Sequence, residues 1–98
     1  MALYARQGRI IATTGNAGRL AEILAAGTGA MPGCRLYLVM TDPADADAVL
    51  VTEVWDSEAA HAASLALPEV RAAIAEARPI IAGMDGRALS VVAAPGLA

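Results

Sequence analysis

Val49-Leu50-Val51-Thr52-Glu53-Val54-Trp55-Asp56-Ser57-Glu58 opens the stretch, running to Ile81, whose reading decides the fold. Its first seven residues are rich in β-branched side chains and end on an aromatic one, the composition of a strand. Alternation sends Val49, Val51, Glu53 and Trp55 to one face and Leu50, Thr52 and Val54 to the other. Both faces are largely apolar, so the strand is buried. Asp56 or Ser57 can cap a following helix, with Glu58 in the first turn, where the helix dipole favours a carboxylate. Pro68 interrupts that helix. Proline suits a first helical position, so the spacing predicts a second helical piece over Glu69–Arg78, with Val70, Ala73, Ile74 and Ala77 on its buried side. Pro79 closes it.

On the N-terminal side, Leu3 to Thr14 reads as an imperfect strand that Arg6-Gln7-Gly8-Arg9 interrupts before Ile10 and Ile11. Asn16 is a good N-cap for a helix over Ala17–Ala26, which Gly27 and Gly29 end. Cys34 to Met40 alternates as a strand, and Thr41 to Asp47 reads as an exposed acidic turn, making an antiparallel hairpin with the Trp55 strand. Towards the C-terminus, Gly83 to Gly86 is expected to turn the chain. Ala88 to Val92 is then the last strand, before a loose tail from Ala94 to Ala98. Strand, helix, strand, strand, helix, strand is the split βαβ order of an α+β, ferredoxin-like domain occupying residues 1–98. Both helices cover one face of a four-stranded antiparallel sheet. If the bare face carries Leu, Val and Ile, two sheets can pack together, and a homodimer follows.

Composition leads the same way. The chain has 98 residues, is 57% hydrophobic and only 3% aromatic, and lacks Phe, so much of its apolar content is alanine with little area to bury. A domain this small is marginal alone, and its surplus apolar surface is most simply covered by a second copy. Charged residues punctuate every apolar run, and the N-terminus lacks a leader pattern, so the expectation is a cytoplasmic protein with no membrane span. Cys34 is the sole cysteine, which rules out an internal disulfide and a thiolate metal cluster. A net charge of -3 with scattered basic residues argues against nucleic acid.

Few residues are suited to chemistry. Trp55, at a strand end, could wall a pocket or simply fill the core with its N–H on a loop carbonyl. His61, the sole histidine, is the side chain best suited to accept and return a proton near neutral pH. No ligand-type residue stands beside it at metal spacing. Leu65 follows it by four residues, on the same helix face. Glu53, inside an apolar strand, must either pair with a cation such as Arg35 or Arg78 or become a base with a raised pKa. Tyr37 could donate a hydrogen bond to a phenolate or quinol oxygen. Cys34 reads as a small buried hydrophobe. The aspartates of the hairpin turn lack an EF-hand pattern, and Gly15-Asn16-Ala17-Gly18 matches no phosphate loop.

Val51-Thr52-Glu53-Val54-Trp55-Asp56-Ser57-Glu58-Ala59-Ala60-His61, with Ser64-Leu65 and Leu67-Pro68-Glu69-Val70-Arg71, resembles the antibiotic biosynthesis monooxygenase superfamily, and within it quinol monooxygenase-like proteins. Gly33-Cys34-Arg35-Leu36-Tyr37 and Arg78-Pro79-Ile80-Ile81-Ala82-Gly83 are similar to the same group. The resemblance implies a dimeric α+β barrel with a pocket between helices and sheet in each subunit. It implies cofactor-independent oxygenation of a quinol or hydroxylated aromatic by molecular oxygen, with no metal and no flavin. Carried over, Trp55 walls the pocket and His61 is its polar catalytic group. Tyr37, Glu53 and Leu65 are further candidates for substrate contact, Glu53 if its strand face meets the helices, and an interface residue if that face meets the other subunit. A haem-degrading branch uses a first-strand asparagine and a histidine further along the helix; here that strand has no asparagine, and Leu65 stands one turn beyond His61. The competing function is a non-enzymatic dimeric domain that binds a small molecule in the same cavity. A purely structural role would leave no ligand-sized cavity.

Overall fold

The computed structural model describes residues 3–97. In chain order it contains β1 (Tyr4–Ala12), α1 (Ala17–Gly27), β2 (Cys34–Asp42), β3 (Asp45–Trp55), α2 (Glu58–Ser64), α3 (Pro68–Ala77), a 3-10 turn over Arg78–Ile80, and β4 (Ile81–Ser90). The four strands form one antiparallel sheet in the order β2-β3-β1-β4, the ferredoxin-like arrangement. Leu20 and Ile23 of α1, with Ala73 and Ala77 of α3, pack on Ile10, Ala12, Val49 and Val51. A second cluster joins Trp55 to Met31 and Val70. The helix-covered face of β3 is therefore the one carrying Val49, Val51, Glu53 and Trp55, as alternation requires.

Several local expectations are corrected. β1 is unbroken, because it lies between β3 and β4 and its backbone is paired on both sides while its polar side chains alternate between faces. Arg6 goes to the helix side; Gln7 and Arg9 go to the bare face. Asn16 does not cap α1 through its side chain, which donates instead to Thr13 Oγ1 at 2.8 Å. The acidic turn is shorter than expected, a two-residue reversal at Pro43-Ala44. It is also clamped, since Arg9 reaches across β3 to Asp45 at 2.8 Å and Asp42 at 3.4 Å. Gly83 and Gly86 make no turn, because each has a partner on β1, Ile11 and Gly8 respectively, and β4 continues through them, with a register shift just before Gly83, where Ala12 pairs with Ile81. Ile74, expected on the buried side of α3, is partly exposed. Val92 lies beyond β4 and is exposed. Ala98, the end of the expected tail, lies outside the described residues.

Gly33 sets the approach of β2 to α2. Its φ is +80°, in the left-handed region, and a Cβ there would lie 2.7 Å from the Cβ of Ala60. Its carbonyl accepts a hydrogen bond from the Asp56 amide at 2.8 Å. Gly33→Ala is expected to lower stability by about 1–3 kcal/mol, through overpacking and backbone strain together. Urea unfolding at fixed protein concentration reads that loss.

Candidate active site

The junction from β3 to α2 is held from several sides. Ser57 Oγ accepts from the Ala60 amide at 3.1 Å, a regular N-cap, and Arg35 Nε donates to Asp56 Oδ1 at 2.6 Å. The buried Ser64 hydroxyl donates to the His61 carbonyl at 2.6 Å and tightens the end of α2. These contacts aim His61 back over the sheet. Its ring meets Trp55 edge-on at 5.5 Å between centroids and Tyr4 at 5.7 Å, tilted by 40°.

Glu53 completes the group. Trp55 Nε1 donates to Glu53 Oε1 at 3.0 Å, and His61 Nε2 lies 3.8 Å from the same oxygen. The carboxylate is thus held by an indole and an imidazole; the arginine partners expected for it are not used in this way, and Arg35 is drawn to Asp56 instead. Trp55 has no exposed surface, whereas the His61 and Glu53 side chains keep 18% and 17% exposure. A molecule arriving from solvent therefore meets imidazole and carboxylate, with the indole behind them as a rigid support.

Tyr37 stands opposite Glu53 across the β2–β3 pair. Burial, followed by the nearby Glu53 and Cys34, pushes its phenol far above the usual range, so it stays a neutral hydrogen-bond donor. Burial likewise raises the Cys34 thiol and keeps it protonated, in line with its reading as a small hydrophobe. Leu65 lies apart from these rings, half exposed just past the end of α2. Among the described residues no three of His, Cys, Asp and Glu gather as a metal-binding group.

Two residues of the cluster were not singled out from sequence, Tyr4 and Arg6. Tyr4 pairs in register with Trp55, and its hydroxyl accepts from Arg6 Nη1 at 3.0 Å. The available signal was parity: in an antiparallel pair beginning at Tyr4 and Trp55, every second β1 residue shares the face of Glu53. Further along that face an apolar cavity of about 270 Å³ is lined by Ile10, Leu24, Ile74, Ala77, Ile81 and Met84, among others. On the bare face a depression of about 330 Å³ is lined by Gln7, Arg9, Met40, Leu50, Thr52 and Arg87, with the backbone of Gly8 and Gly86 among its other residues.

Comparison with known proteins agrees with the fold. The sequence profile of the antibiotic biosynthesis monooxygenase family matches residues 5–76, which include β1 from Ala5 onward, Glu53, Trp55 and His61. A solved structure described as a candidate antibiotic biosynthesis monooxygenase from Chloroflexus aurantiacus is 43% identical, with 98% of this chain and 99% of that chain covered and a TM-score of 0.95. A similarly described protein from Deinococcus radiodurans is 28% identical, with 97% and 98% covered and a TM-score of 0.77. One from Caulobacter crescentus shares the fold at 18% identity, with 94% and 92% covered and a TM-score of 0.83. A search of curated proteins returns no match. Matched over most of its length by the profile, and over nearly all of it by a relative of this similarity, the chain belongs to the antibiotic biosynthesis monooxygenase family.

Proposed function

We propose that the protein is a cofactor-independent monooxygenase acting on a quinol or another hydroxylated aromatic. The family supports a monooxygenase-like role in general terms. The observation that carries the finer reading is the Glu53–Trp55–His61 group, which sets a proton acceptor beside a fixed carboxylate on the helix-covered face. His61 takes the proton of the substrate hydroxyl, and the Glu53 carboxylate 3.8 Å away offsets the imidazolium charge that results. The phenolate then gives one electron to molecular oxygen, and the resulting radical pair combines at a ring carbon. Breaking the O–O bond leaves one oxygen on the ring and releases the other as water. For a simple hydroquinone the balance is quinol plus O2 to hydroxyquinone plus water, with all four electrons coming from the substrate. The protein supplies orientation and a dry surface in addition to the base.

Oxygen uptake against a panel of quinols and phenols tests this reading. Substrate-dependent consumption of one O2 per ring supports it; saturable binding in air without uptake supports instead a binding domain that uses the same site.

The bare sheet face supports a homodimer. It presents Leu36, Leu38, Met40, Leu50 and Leu89, of which Leu38 is 43% and Leu89 40% exposed. Packing two such faces removes this apolar surface from water. Light scattering should give twice the 9.9 kDa chain mass, and Leu38→Glu should shift the population towards monomer. A wild-type monomer at micromolar concentration would contradict the dimer.

A further inference from the structure

Arg6 is the basic side chain that β1 sends to the helix-covered side. One of its nitrogens, Nη1, donates to the Tyr4 hydroxyl at 3.0 Å. The ion pairs among the described residues use Arg9, Arg19, Arg35 and His61, and none uses Arg6. Glu53, directly opposite it in register, turns its carboxylate to Trp55 and His61. The guanidinium thus keeps donors to spare.

One step along both strands, Gly8 and Gly86 face each other across the β1–β4 pair. A Cβ on Gly8 would meet only the Asp85 carbonyl oxygen, at 3.7 Å. A Cβ on Gly86 would find Arg6 Nη2 as its nearest side-chain atom, at 3.6 Å. Two missing side chains therefore leave a bare strip of backbone beside an arginine nitrogen. A further step on, Ile10 and Met84 are paired and line the apolar cavity of about 270 Å³. Guanidinium, bare strip and apolar cavity follow one another along a single seam.

We infer that this seam is a subsite for the acidic substituent of a flat aromatic ligand. The carboxylate accepts from Arg6 Nη2, the ring lies on the Gly8–Gly86 strip, and its apolar edge meets Ile10 and Met84. The inference rests on the reading of the protein as a binder of hydroxylated aromatics and narrows that class to aromatic acids. The bond to Tyr4, then the fields of Glu53 and Glu58, raise the guanidinium pKa and hold its charge. Those two carboxylates oppose an anion at longer range, so selectivity depends on the direct, charge-assisted N–H contact.

Calorimetric titration of the full chain with 2-hydroxybenzoate, whose hydroxyl stays at the Arg6 end and whose far edge is apolar, and with its neutral amide, in wild type, Arg6→Gln and Gly86→Val, tests the assignment. Wild type should bind the acid at least about tenfold more tightly than the amide, as expected for a hydrogen bond to a charged group. Arg6→Gln should remove that preference, the acid losing far more affinity than the amide. Gly86→Val, with an unaltered circular dichroism spectrum, should weaken both. Equal affinities in wild type, no binding of either compound, or a preference that survives Arg6→Gln would overturn it. Oxygen uptake separates this result from the reaction: Arg6-dependent acid binding without uptake contradicts only the oxygenase reading, and uptake with neutral quinols but no acid preference contradicts only the subsite.

Discussion

Replacing Trp55 by alanine is expected to lower the unfolding free energy by about 3–5 kcal/mol, the range for deleting a large aromatic from a packed interior. The indole has no exposed surface and packs with Met31 and Val70 in a cluster separate from the main core. In a chain with only 3% aromatic residues, little else can fill the space it would leave. Deleting it also removes the 3.0 Å donor to Glu53, so a partly buried carboxylate loses its hydrogen bond as well as its neighbour. For a domain of this size the melting temperature should fall by at least about 12 °C. Trp55→Phe helps to apportion the loss, since it keeps a six-membered ring while losing the N–H and the volume of the five-membered ring; it should cost about 1–3 kcal/mol. Circular dichroism at fixed protein concentration reads both variants. A loss below about 1 kcal/mol for the alanine variant would show that the cluster collapses without harm and that the indole is not the support of His61.

His61→Ala has the opposite profile. The imidazole contributes ring contacts with Tyr4 and Trp55 but keeps 18% exposure, and the Ser64 bond that tightens its helix goes to its backbone carbonyl, which the substitution retains. Stability should change by about 1 kcal/mol or less, as for most partly exposed positions. The turnover rate should fall by about 10²–10⁴, the usual contribution of a positioned general base. Glu53→Gln serves as the companion variant: it keeps an acceptor for Trp55 Nε1 but removes the charge beside the imidazole, so its effect should fall on kcat more than on stability. A variant at position 61 that folds and turns over at the wild-type rate would remove the histidine from the chemistry.

Much of this fold was legible along the chain because its signals are local. The alternation from Val49 to Trp55, the cap at Ser57 and the prolines at 68 and 79 each act within one element, and each element formed there, although β3 starts earlier, at Asp45, and α2 ends at Ser64, before Pro68 is reached. What escaped was non-local. Arg6-Gln7-Gly8-Arg9 looks like a break in a strand because its polar residues alternate without an apolar partner face; only pairing on both sides makes it a central strand. Gly83 and Gly86 look like turn residues, yet glycine in a strand also serves to leave room, and the register that sets Gly86 opposite Gly8 is invisible in sequence. The candidate site divides in the same way. Trp55 and His61 are the sole residues of their types and invite attention, while Tyr4 and Arg6 join them only through the β1–β3 register. The bond between Trp55 and Glu53 joins residues two apart on one strand face, a contact that parity permits but does not dictate.

The central claim is that the cluster of Glu53, Trp55 and His61 carries oxygenation of a hydroxylated aromatic. Mass spectrometry of the product formed from a quinol under ¹⁸O2, by wild type and by His61→Ala, tests it most directly. The expected result is one labelled oxygen in the wild-type product, with labelled product formed about 10²–10⁴ more slowly by His61→Ala. An unlabelled wild-type product, or labelled product formed at equal rates by the two proteins, would contradict it.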